Sequence, residues 1–318
     1  KFLSKYCFVK KILVIKHGSL GDIIFALPSM ISIRKKYPEA LIYLLTEEKY
    51  VSLLMKPKIF DKIIIDNRKD FFFKSIFNVF KLLKMEYDTV IDLQNSKRTS
   101  IYNLVFRLFS KSLVCSSRPF AHLRYKIPSQ GKEAVRIGLS NQLNLLNIIT
   151  DEKPNYNWLK VDMKDEITQP NVLIIPGISK NSEHKQWDPE GFADIAQYCE
   201  SKKFTICVVG TKQDLSSAEA ILNKCNNVIN KIDSSPPEVI YSIALKSSLI
   251  ISNDTGPAHI ASLANNNMIW LLNDNNVSKA NINKSKRNHR IMSTSVKNIS
   301  SKEVIEYIEK NELLKMFN

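Results

Sequence analysis

Short apolar runs alternate along the chain with longer segments whose apolar residues recur at helical spacing. In the first half, the runs that predict β-strands are 11–15, 41–45, 63–65, 89–93 and 112–115. The segments that predict helices are 23–34, 48–55, 71–85, 100–109 and 139–148. Continuously apolar strands that alternate with helices are typical of a parallel sheet covered on both faces. The first half is therefore predicted to be an α/β domain.

The second half repeats this alternation. Its predicted strands are 171–175, 204–209, 228–229, 247–252 and 268–272, and its predicted helices are 189–201, 216–223, 237–245, 258–263 and 301–314. A loop rich in Asn and Lys is expected from the last strand to about residue 290. Residues 151–169 are polar and lack sustained periodicity, which indicates a connection between domains. We therefore expect two domains, 1–160 and 161–318.

The composition is that of a soluble globular protein. Hydrophobic residues make up 44% of the 318 positions and charged residues 24%. No run approaches the ~20 apolar residues that a membrane span needs, and the basic N-terminus lacks the apolar segment of a signal peptide. The five cysteines form no C-x-x-C pair. A reduced, cytoplasmic protein without a zinc site is the expectation.

The positive charge is concentrated in the first half. Residues 1–160 contain 28 Lys and Arg against 13 Asp and Glu, whereas residues 161–318 contain 18 of each kind. This asymmetry indicates an anionic partner: a phosphorylated glycolipid, a membrane surface or nucleic acid. The alternative is an AT-rich genome that favours lysine, although such a bias should raise both halves. The predicted helix 71–85 is dense in Phe and Lys, so it either packs in the core or rests on a membrane interface.

One strand-turn-helix motif in the second half predicts a phosphate site. The strand 247–252 leads into Asp254, Thr255 and Gly256, and Pro257 then opens a helix. Asp and Thr suit a helix N-cap, and a helix N-terminus presents free N–H groups and a positive dipole end that attract phosphate. His259 follows within the first turn as a further donor. An ordinary capped helix is the alternative.

A second loop at which the backbone can come close to a ligand follows the first strand. Its sequence, K-H-G-S-L-G-D at 16–22, has two glycines with G-x-x-G spacing, which differs from the dinucleotide G-x-G-x-x-G and does not support NAD binding. Asp22 stands at the start of the following helix, where α/β proteins place ligands. Helix capping and catalysis are both open to this carboxylate.

Basic residues that follow the later strands of the first half are candidates for an acceptor site. They gather around Asp92 at the end of strand 89–93 and in the loop-rich segment beyond strand 112–115. A grip on acceptor phosphates and a merely solvated loop are both open to them. The acceptor-side candidates are Asp92, Lys97, Arg98, Arg118 and Arg124.

Three sequence blocks, in order, resemble one glycosyltransferase family. They are I-L-V-I-K-H-G-S-L-G-D-I-I-F-A-L-P at 12–28, P-G-I-S-K-N-S-E-H-K-Q-W at 176–187 and S-N-D-T-G-P-A-H-I-A at 252–261. V-I-D-L-Q-N at 90–95 resembles a fourth block, with Asn95 where the family has glycine. The family is that of the ADP-heptose:lipopolysaccharide heptosyltransferases, glycosyltransferase family 9. The resemblance implies an α/β fold of the GT-B class, two Rossmann-like, doubly wound domains that face a central cleft.

The resemblance also implies an inverting, metal-independent sugar transfer. Asp22 is then the general base for the acceptor hydroxyl, and Lys185 neutralises the leaving diphosphate. Backbone N–H groups of Thr255 and Gly256, with His259, hold the same phosphates, and Asp254 orients the turn or contacts the ribose. Further donor-side contacts implied by the matching blocks are Ser19, Gly21 and Ser179.

The implied partners follow from the family. The donor is an ADP-sugar, ADP-heptose by analogy, and no cofactor or metal is expected. The acceptor is a phosphorylated inner core of lipopolysaccharide, bound by the N-terminal domain. The nucleotide sugar is bound by the C-terminal domain. The last helix could pack back on the N-terminal domain. The expected location is the cytoplasm, with peripheral contact at the inner face of the membrane.

Other functions stay open from the residues alone. The same fold serves transferases with another nucleotide sugar or acceptor and also epimerases, and the Asp22 loop favours transfer. The net charge of +15 suggests an alternative function, that of a non-catalytic protein that binds nucleic acid or another anionic ligand. No helix-turn-helix, zinc-finger or RNP-like pattern supports that reading, so nucleic acid is not an expected partner.

Overall fold

The chain divides into two compact units, Lys1–Trp158 and Leu159–Asn318. The structure, a computed structural model, describes residues 9–67, 72–128, 133–163, 167, 171–178, 182–274, 282 and 285–315. Each unit contains a six-stranded sheet in which all the paired strands are parallel. The boundary between the two units in the chain falls between Trp158 and Leu159.

The sheet of the first unit has the strand order β3-β2-β1-β4-β5-β6. Its strands are β1 (Lys11–Ile15), β2 (Leu41–Thr46), β3 (Lys62–Ile65), β4 (Thr89–Asp92), β5 (Leu113–Ser116) and β6 (Leu123–Arg124). Its helices are α1 (Leu20–Lys36), α2 (Val51–Met55), α3 (Phe72–Leu83), α4 (Lys97–Phe109) and α5 (Val135–Asn144). The prediction of a loop at β6 was wrong, because a two-residue edge strand carries no periodic signal and forms only by pairing with β5.

The sheet of the second unit has the order β12-β11-β10-β7-β8-β9. Its strands are β7 (Asn171–Ile175), β8 (Thr205–Gly210), β9 (Val228–Ile232), β10 (Ser247–Asn253), β11 (Asn267–Asn273) and β12 (Asn288–Ser293). Its helices are α6 (Pro189–Ser201), α7 (Leu215–Lys224), α8 (Pro237–Lys246), α9 (Gly256–Ala261) and α10 (Ser301–Lys310). The strand β12 starts inside the predicted loop, since its polar sequence hides a strand that pairing with β11 stabilises.

The two sheets share one winding. In each, the first strand lies between the second and the fourth, so the chain reverses its direction of travel at the pairs β1–β4 and β7–β10. Ile15 is the register partner of Asp92, and Ser252 is the partner of Ile175, so the carboxyl ends of each pair lie side by side. Doubly wound sheets bind ligands at this point of reversal. Each of the four sequence blocks of the predicted site includes or directly follows the carboxyl end of one of these four strands.

Apolar side chains of α3 and α4 cover one face of the first sheet. Val79 and Leu82 of α3 and Phe106 of α4 are buried in one cluster with Leu13 and Val90 of the central strands. In a cluster of this kind, truncation of Phe106 to Ala would cost roughly 3–5 kcal/mol. This packing sets where α4, and the residues at its start, lie against the end of β4.

Trp187 anchors the loop that follows β7. Its side chain is 1% exposed, its ring stands edge-on to Phe192 at 4.8 Å, and its Nε1 donates a hydrogen bond to the carbonyl of Ile299 at 2.8 Å. The backbone just before Trp187, which carries Lys185, is therefore held against the core of the second unit.

The last helix, α10, packs within its own unit. Val304 and Ile308 belong to the core of the second unit, and the Ser301 hydroxyl donates to the carboxylate of Asp194 on α6 at 2.8 Å. The helix ends at Lys310, earlier than the predicted residue 314.

Candidate active site

Asp22 caps the helix on which it lies. Ser19 is the N-cap of α1, and Asp22 Oδ2 accepts hydrogen bonds from the Ser19 backbone N at 2.7 Å and the Ser19 hydroxyl at 2.8 Å. Both bonds reach the same oxygen, so Oδ1 keeps its capacity to accept a proton. Capping and proton acceptance are thus compatible in one carboxylate, at the carboxyl end of β1. Gly21 lies buried in the first turn of α1 beside it.

Gly18 gives the Asp22 loop its shape. Its φ is +124°, and a Cβ there would lie 2.6 Å from Asp22 Oδ2. Its N–H donates to Glu47 Oε1 at 3.1 Å, and its carbonyl accepts a bond from the Tyr50 hydroxyl at 2.9 Å. Both partners follow β2. Sequence reasoning missed Glu47 and Tyr50, because nothing local marks residues that clamp a loop from the neighbouring strand.

A buried polar network joins this loop to the start of α4. His17 Nε2 lies 3.3 Å from Asp66 Oδ2, which also accepts a bond from the Tyr102 hydroxyl at 2.9 Å. Arg98 Nε donates to Tyr102 Oη at 2.7 Å, and its guanidinium lies 3.6 Å from Asp66 Oδ1. Asp66 thus anchors Arg98, one of the predicted acceptor-side cations, beside the loop that carries Asp22. Asp66 was not among the predicted residues.

Asp92 is fully buried beneath the loop that follows β4. Its Oδ1 accepts bonds from the backbone N of Gln94 and Asn95, each at 3.0 Å, and its Oδ2 accepts from Asn103 at 3.0 Å and Ser116 at 3.1 Å. Asp92, predicted as an acceptor-side candidate, therefore has no exposed surface and can act on an acceptor only through the loop that it holds.

The backbone at Asn95 adopts a conformation that glycine also tolerates, which fits the glycine expected at this position from the resemblance. Its φ is +52°, the left-handed region that glycine and asparagine tolerate best. The Asn95 side chain adds bonds that glycine lacks: Nδ2 donates to Gln142 Oε1 at 2.7 Å, and Oδ1 accepts from Ser117 N at 2.7 Å. The loop is therefore tied to α5 and to the end of β5.

The other predicted acceptor-side cations lie at the same edge of the first sheet. Lys97 opens α4 and is exposed, and Arg124, also exposed, reaches the carbonyl of Ser117 with Nε at 3.5 Å. Arg118 is half-buried just beyond β5, and its Nε is buried with no hydrogen-bond partner among the described residues. Lys97, Arg118 and Asp22 follow the carboxyl ends of parallel strands, and Arg124 is the last residue of β6.

In the second unit, one carboxylate joins the two predicted phosphate donors. Lys185 Nζ donates to Asp254 Oδ2 at 2.6 Å, and His259 Nε2 lies 3.4 Å from Asp254 Oδ1. The His259 ring packs against Trp270 at 5.1 Å between centroids. Asp254 is 5% exposed and so holds both groups from inside the protein. Asp254 therefore orients the side chains of Lys185 and His259.

Asn253 ties the surrounding backbone together. Its Nδ2 donates to the Pro176 carbonyl at 2.7 Å, and its Oδ1 accepts from Trp187 N at 3.3 Å. The ends of β7 and β10 and the Lys185 segment are thus linked through one side chain, which the sequence alone did not single out. Thr255 is the N-cap of α9 and Gly256 its first residue.

The segment after β7 approaches a second capping carboxylate. A Cβ on Gly177 would lie 2.8 Å from Asp214 Oδ2, which accepts bonds from the Thr211 backbone N at 2.8 Å and hydroxyl at 3.0 Å. Thr211 and Asp214 have the same spacing as Ser19 and Asp22, and both pairs form capping boxes. This spacing could have marked Asp214 in the sequence. Ser179, a predicted phosphate contact, lies outside the described residues.

The family of the protein can now be stated. Residues 76–303 match the model of glycosyltransferase family 9, the heptosyltransferases. The chain belongs to this family, so the resemblance seen in the sequence blocks is confirmed and the protein is a glycosyltransferase.

Individual relatives agree with the family. The lipopolysaccharide core heptosyltransferase OpsX of Haemophilus influenzae is 24% identical over 284 residues, 82% of this chain and 78% of that protein. Two solved structures share the fold: a family 9 glycosyl transferase from Veillonella parvula (TM-score 0.75, 19% identity, 95% of this chain and 96% of the other), and Escherichia coli heptosyltransferase WaaC with ADP-2-deoxy-2-fluoro heptose (TM-score 0.74, 15% identity, 95% and 99%). The predicted α/β fold of the GT-B class is confirmed.

Proposed function

We propose that the protein transfers a heptose from ADP-heptose to an inner-core lipopolysaccharide acceptor, with inversion and without a metal ion. Family membership supports heptosyl transfer. The OpsX relative is a lipopolysaccharide core enzyme, and the WaaC structure contains an ADP-heptose analogue. The observation that carries the proposal is the arrangement of Lys185, Asp254 and His259 at the reversal point of the second sheet. At the matching point of the first sheet lies the Asp22 carboxylate, which caps α1.

Asp22 is the general base in this proposal. As the acceptor oxygen bonds to the anomeric carbon, its proton passes to the Asp22 carboxylate and the bond from that carbon to the diphosphate breaks. ADP leaves with the electron pair, and a single displacement from the opposite face inverts the anomeric centre. The Ser19 bonds to Oδ2 hold the carboxylate in place beside the reacting hydroxyl in this proposal.

Lys185 stabilises the leaving diphosphate. Negative charge grows on the bridging oxygen as the glycosidic bond breaks, and an ammonium group already oriented by Asp254 meets it without reorganisation. Lysine carries three N–H donors, so the bond to Asp254 leaves capacity for phosphate oxygens. Backbone N–H groups at Thr255 and Gly256, together with His259, complete a donor site that needs no divalent ion.

The two units divide the substrates in this proposal. The first 160 residues carry the whole formal net charge of +15, and the first unit groups Lys97, Arg98, Arg118 and Arg124 at one edge, which suits a phosphorylated acceptor. The second holds the nucleotide sugar. The acceptor chemistry also implies work at the cytoplasmic face of a membrane. None of the described helices is long and apolar enough to span a bilayer.

Calorimetric titration with ADP, UDP and GDP in the presence of EDTA tests the donor. Selective ADP binding supports the proposal, whereas a preference for UDP or GDP would keep the sugar-transfer mechanism and discard heptose. Binding of none of the three nucleotides would contradict a nucleotide-sugar enzyme. Activity that EDTA abolishes and magnesium restores would contradict the metal-free mechanism.

The variant Asp22→Asn tests the base. Its amide oxygen can still accept the Ser19 bonds, so α1 stays capped, while the proton acceptor is lost. We expect donor binding near wild type and turnover lower by roughly 10²–10⁴-fold. Asp188→Asn, at the N-cap of α6, is the matched control and should turn over normally. A nearly wild-type rate for Asp22→Asn would remove Asp22 from the mechanism.

A further inference from the structure

Large apolar side chains are exposed on the outward sides of α3 and α4. Phe77 and Phe80 of α3 are 61% and 41% exposed, and Leu108 and Phe109 of α4 are 64% and 61% exposed. The rings of Phe80 and Phe109 lie 5.5 Å apart between centroids, so the apolar groups of the two helices form one surface. We call these four residues the α3–α4 patch.

The exposure of the patch is separate from the packing of its helices. Val79 and Leu82 on α3, and Val105 and Phe106 on α4, are buried in the core of the first unit. Each helix therefore already covers the sheet with one side and turns a second apolar side outward. A contiguous exposed apolar surface of this kind marks an interaction site.

Basic residues surround the α3–α4 patch. Lys81 Nζ lies 4.6 Å from the centroid of the Phe77 ring, and Lys84 is exposed one turn further on. Arg107 and Lys111 are exposed and close in sequence to Leu108 and Phe109, and the acidic residues Glu86 and Asp88 are exposed beyond the end of α3. Aromatic and aliphatic groups ringed by Lys and Arg suit the boundary between anionic headgroups and acyl chains.

We propose that the α3–α4 patch docks the protein on the anionic surface of a lipid bilayer. Charge complementarity selects this partner over a second copy of the chain, because two identical basic rims would repel each other across a symmetric interface. Phe and Leu enter the interfacial layer, and the surrounding cations contact lipid phosphates.

The position of the patch relates it to the active site. The helix α4 begins with Lys97 and Arg98 at the catalytic edge of the sheet and ends with Leu108 and Phe109. Its 13 residues span about 20 Å. A sugar carried on a membrane-anchored acceptor would then be presented near this edge, a consequence that rests on the proposed function, whereas membrane docking itself does not.

Vesicle co-sedimentation of the full chain tests the docking. We expect binding to vesicles of phosphatidylcholine with phosphatidylglycerol, and little binding to phosphatidylcholine alone. The double variant Leu108→Ser/Phe109→Ser should lose most of this binding. Lys81→Ala/Lys111→Ala should weaken it by at least roughly tenfold, since each lysine near the surface contributes about fivefold. Ile149→Ser, in the same unit at an 88% exposed site, is the control that should bind like wild type.

Several results would overturn the inference. They are no vesicle binding by the wild type, equal binding to neutral vesicles, or patch variants that bind like wild type. Sedimentation velocity adds another: a dimer that the Leu108→Ser/Phe109→Ser variant abolishes would assign the patch to self-association. Circular dichroism checks that each variant is folded. Because none of these readouts needs turnover, failure here is distinguishable from failure of the proposed transferase activity.

Discussion

Nζ of Lys185 donates a 2.6 Å hydrogen bond to Oδ2 of Asp254, a bond that joins the segment after β7 to the turn after β10. Asp254 is 5% exposed and the Lys185 side chain 23% exposed, so the pair is largely shielded from water. A bond of this kind both orients the ammonium group and compensates a buried carboxylate. Its two contributions can be separated by mutation.

The variant Lys185→Ala should weaken ADP binding and slow transfer together, because the diphosphate loses its cation. It should also destabilise the second unit by about 1–3 kcal/mol, since Asp254 is left buried with one partner fewer. Calorimetry with ADP and urea unfolding measure the two effects. Unchanged ADP affinity would place this lysine outside the donor site.

The double variant Lys185→Ala/Asp254→Asn separates stability from binding. Removing the carboxylate charge should recover most of the lost free energy of unfolding, while ADP binding stays weak. The coupling between the two changes comes from the double-mutant cycle. If the double variant is no more stable than Lys185→Ala, the pair contributes little to stability.

The variant Gly18→Ala should damage both the fold of the loop and catalysis. The residue has a φ of +124°, and its new Cβ would lie 2.6 Å from Asp22 Oδ2. We expect a loss of about 1–3 kcal/mol from backbone strain and a marked drop in turnover as the Asp22 carboxylate is displaced. Gly138→Ala, inside α5, is the control: its φ is not positive, and its new Cβ would lie 3.0 Å from Glu133 Oε2, a side-chain end that can shift, so stability should change by less than about 1 kcal/mol. Equal behaviour of the two variants in thermal unfolding would refute the strain argument.

Substitutions at Asn95 should separate backbone conformation from side-chain bonding. Asn95→Gly keeps the left-handed φ but leaves Gln142 and Ser117 without their bonds, a loss of about 1–3 kcal/mol. Asn95→Val loses the same bonds and adds about 1–2 kcal/mol of left-handed strain. Urea unfolding should rank wild type above Gly and Gly above Val. A glycine variant more stable than wild type would show that the side-chain bonds do not stabilise the loop.

Buried cysteines should resist alkylation in the native protein. Burial raises the pKa of the Cys115 thiol to about 12 and that of Cys207 to about 12, and it also raises the pKa of Cys199. The thiolate is the reactive form, so iodoacetamide at mildly alkaline pH should modify these residues only after unfolding. Mass spectrometry of native and denatured samples makes the comparison. Rapid native labelling of Cys115 would contradict its burial.

Asp61 should contribute stability that acid removes. Partial burial acts to raise its pKa, but hydrogen bonds from Ile42 N at 2.7 Å and Arg34 at 2.5 Å outweigh it and lower the pKa of this carboxyl below its ordinary value. A lowered folded-state pKa stabilises the fold above the unfolded pKa of about 3.9, and the contribution is lost as pH falls through the folded value.

The variant Asp61→Asn should therefore be less stable than wild type at neutral pH, by a modest amount because the side chain is 41% exposed. The difference should shrink below about pH 4, where the wild-type carboxyl is protonated too. Urea unfolding at neutral and acidic pH measures it. A difference that persists undiminished in acid would mean that the charge of Asp61 is not its source.

Local patterns predicted most of the elements. The strand β7 and the helix α6 begin and end at the predicted residues, because a continuous apolar run and a Pro at the helix start are features of the segment itself. The strands β6 and β12 were missed for the opposite reason. One has two residues and the other is polar, so each is a strand only through hydrogen bonds to its neighbour.

The α/β fold, the family and the motifs that follow the strands, including Asp22, Lys185 and Asp254, could be predicted from the chain without coordinates. Which strands are neighbours, and so which motifs meet at a point of reversal, became known only from the fold. It also revealed that Glu47 clamps Gly18, that Asp66 anchors Arg98 and that Asp92 is buried. These contacts join residues far apart in the chain, and a bond between distant side chains leaves no periodic signal in either segment.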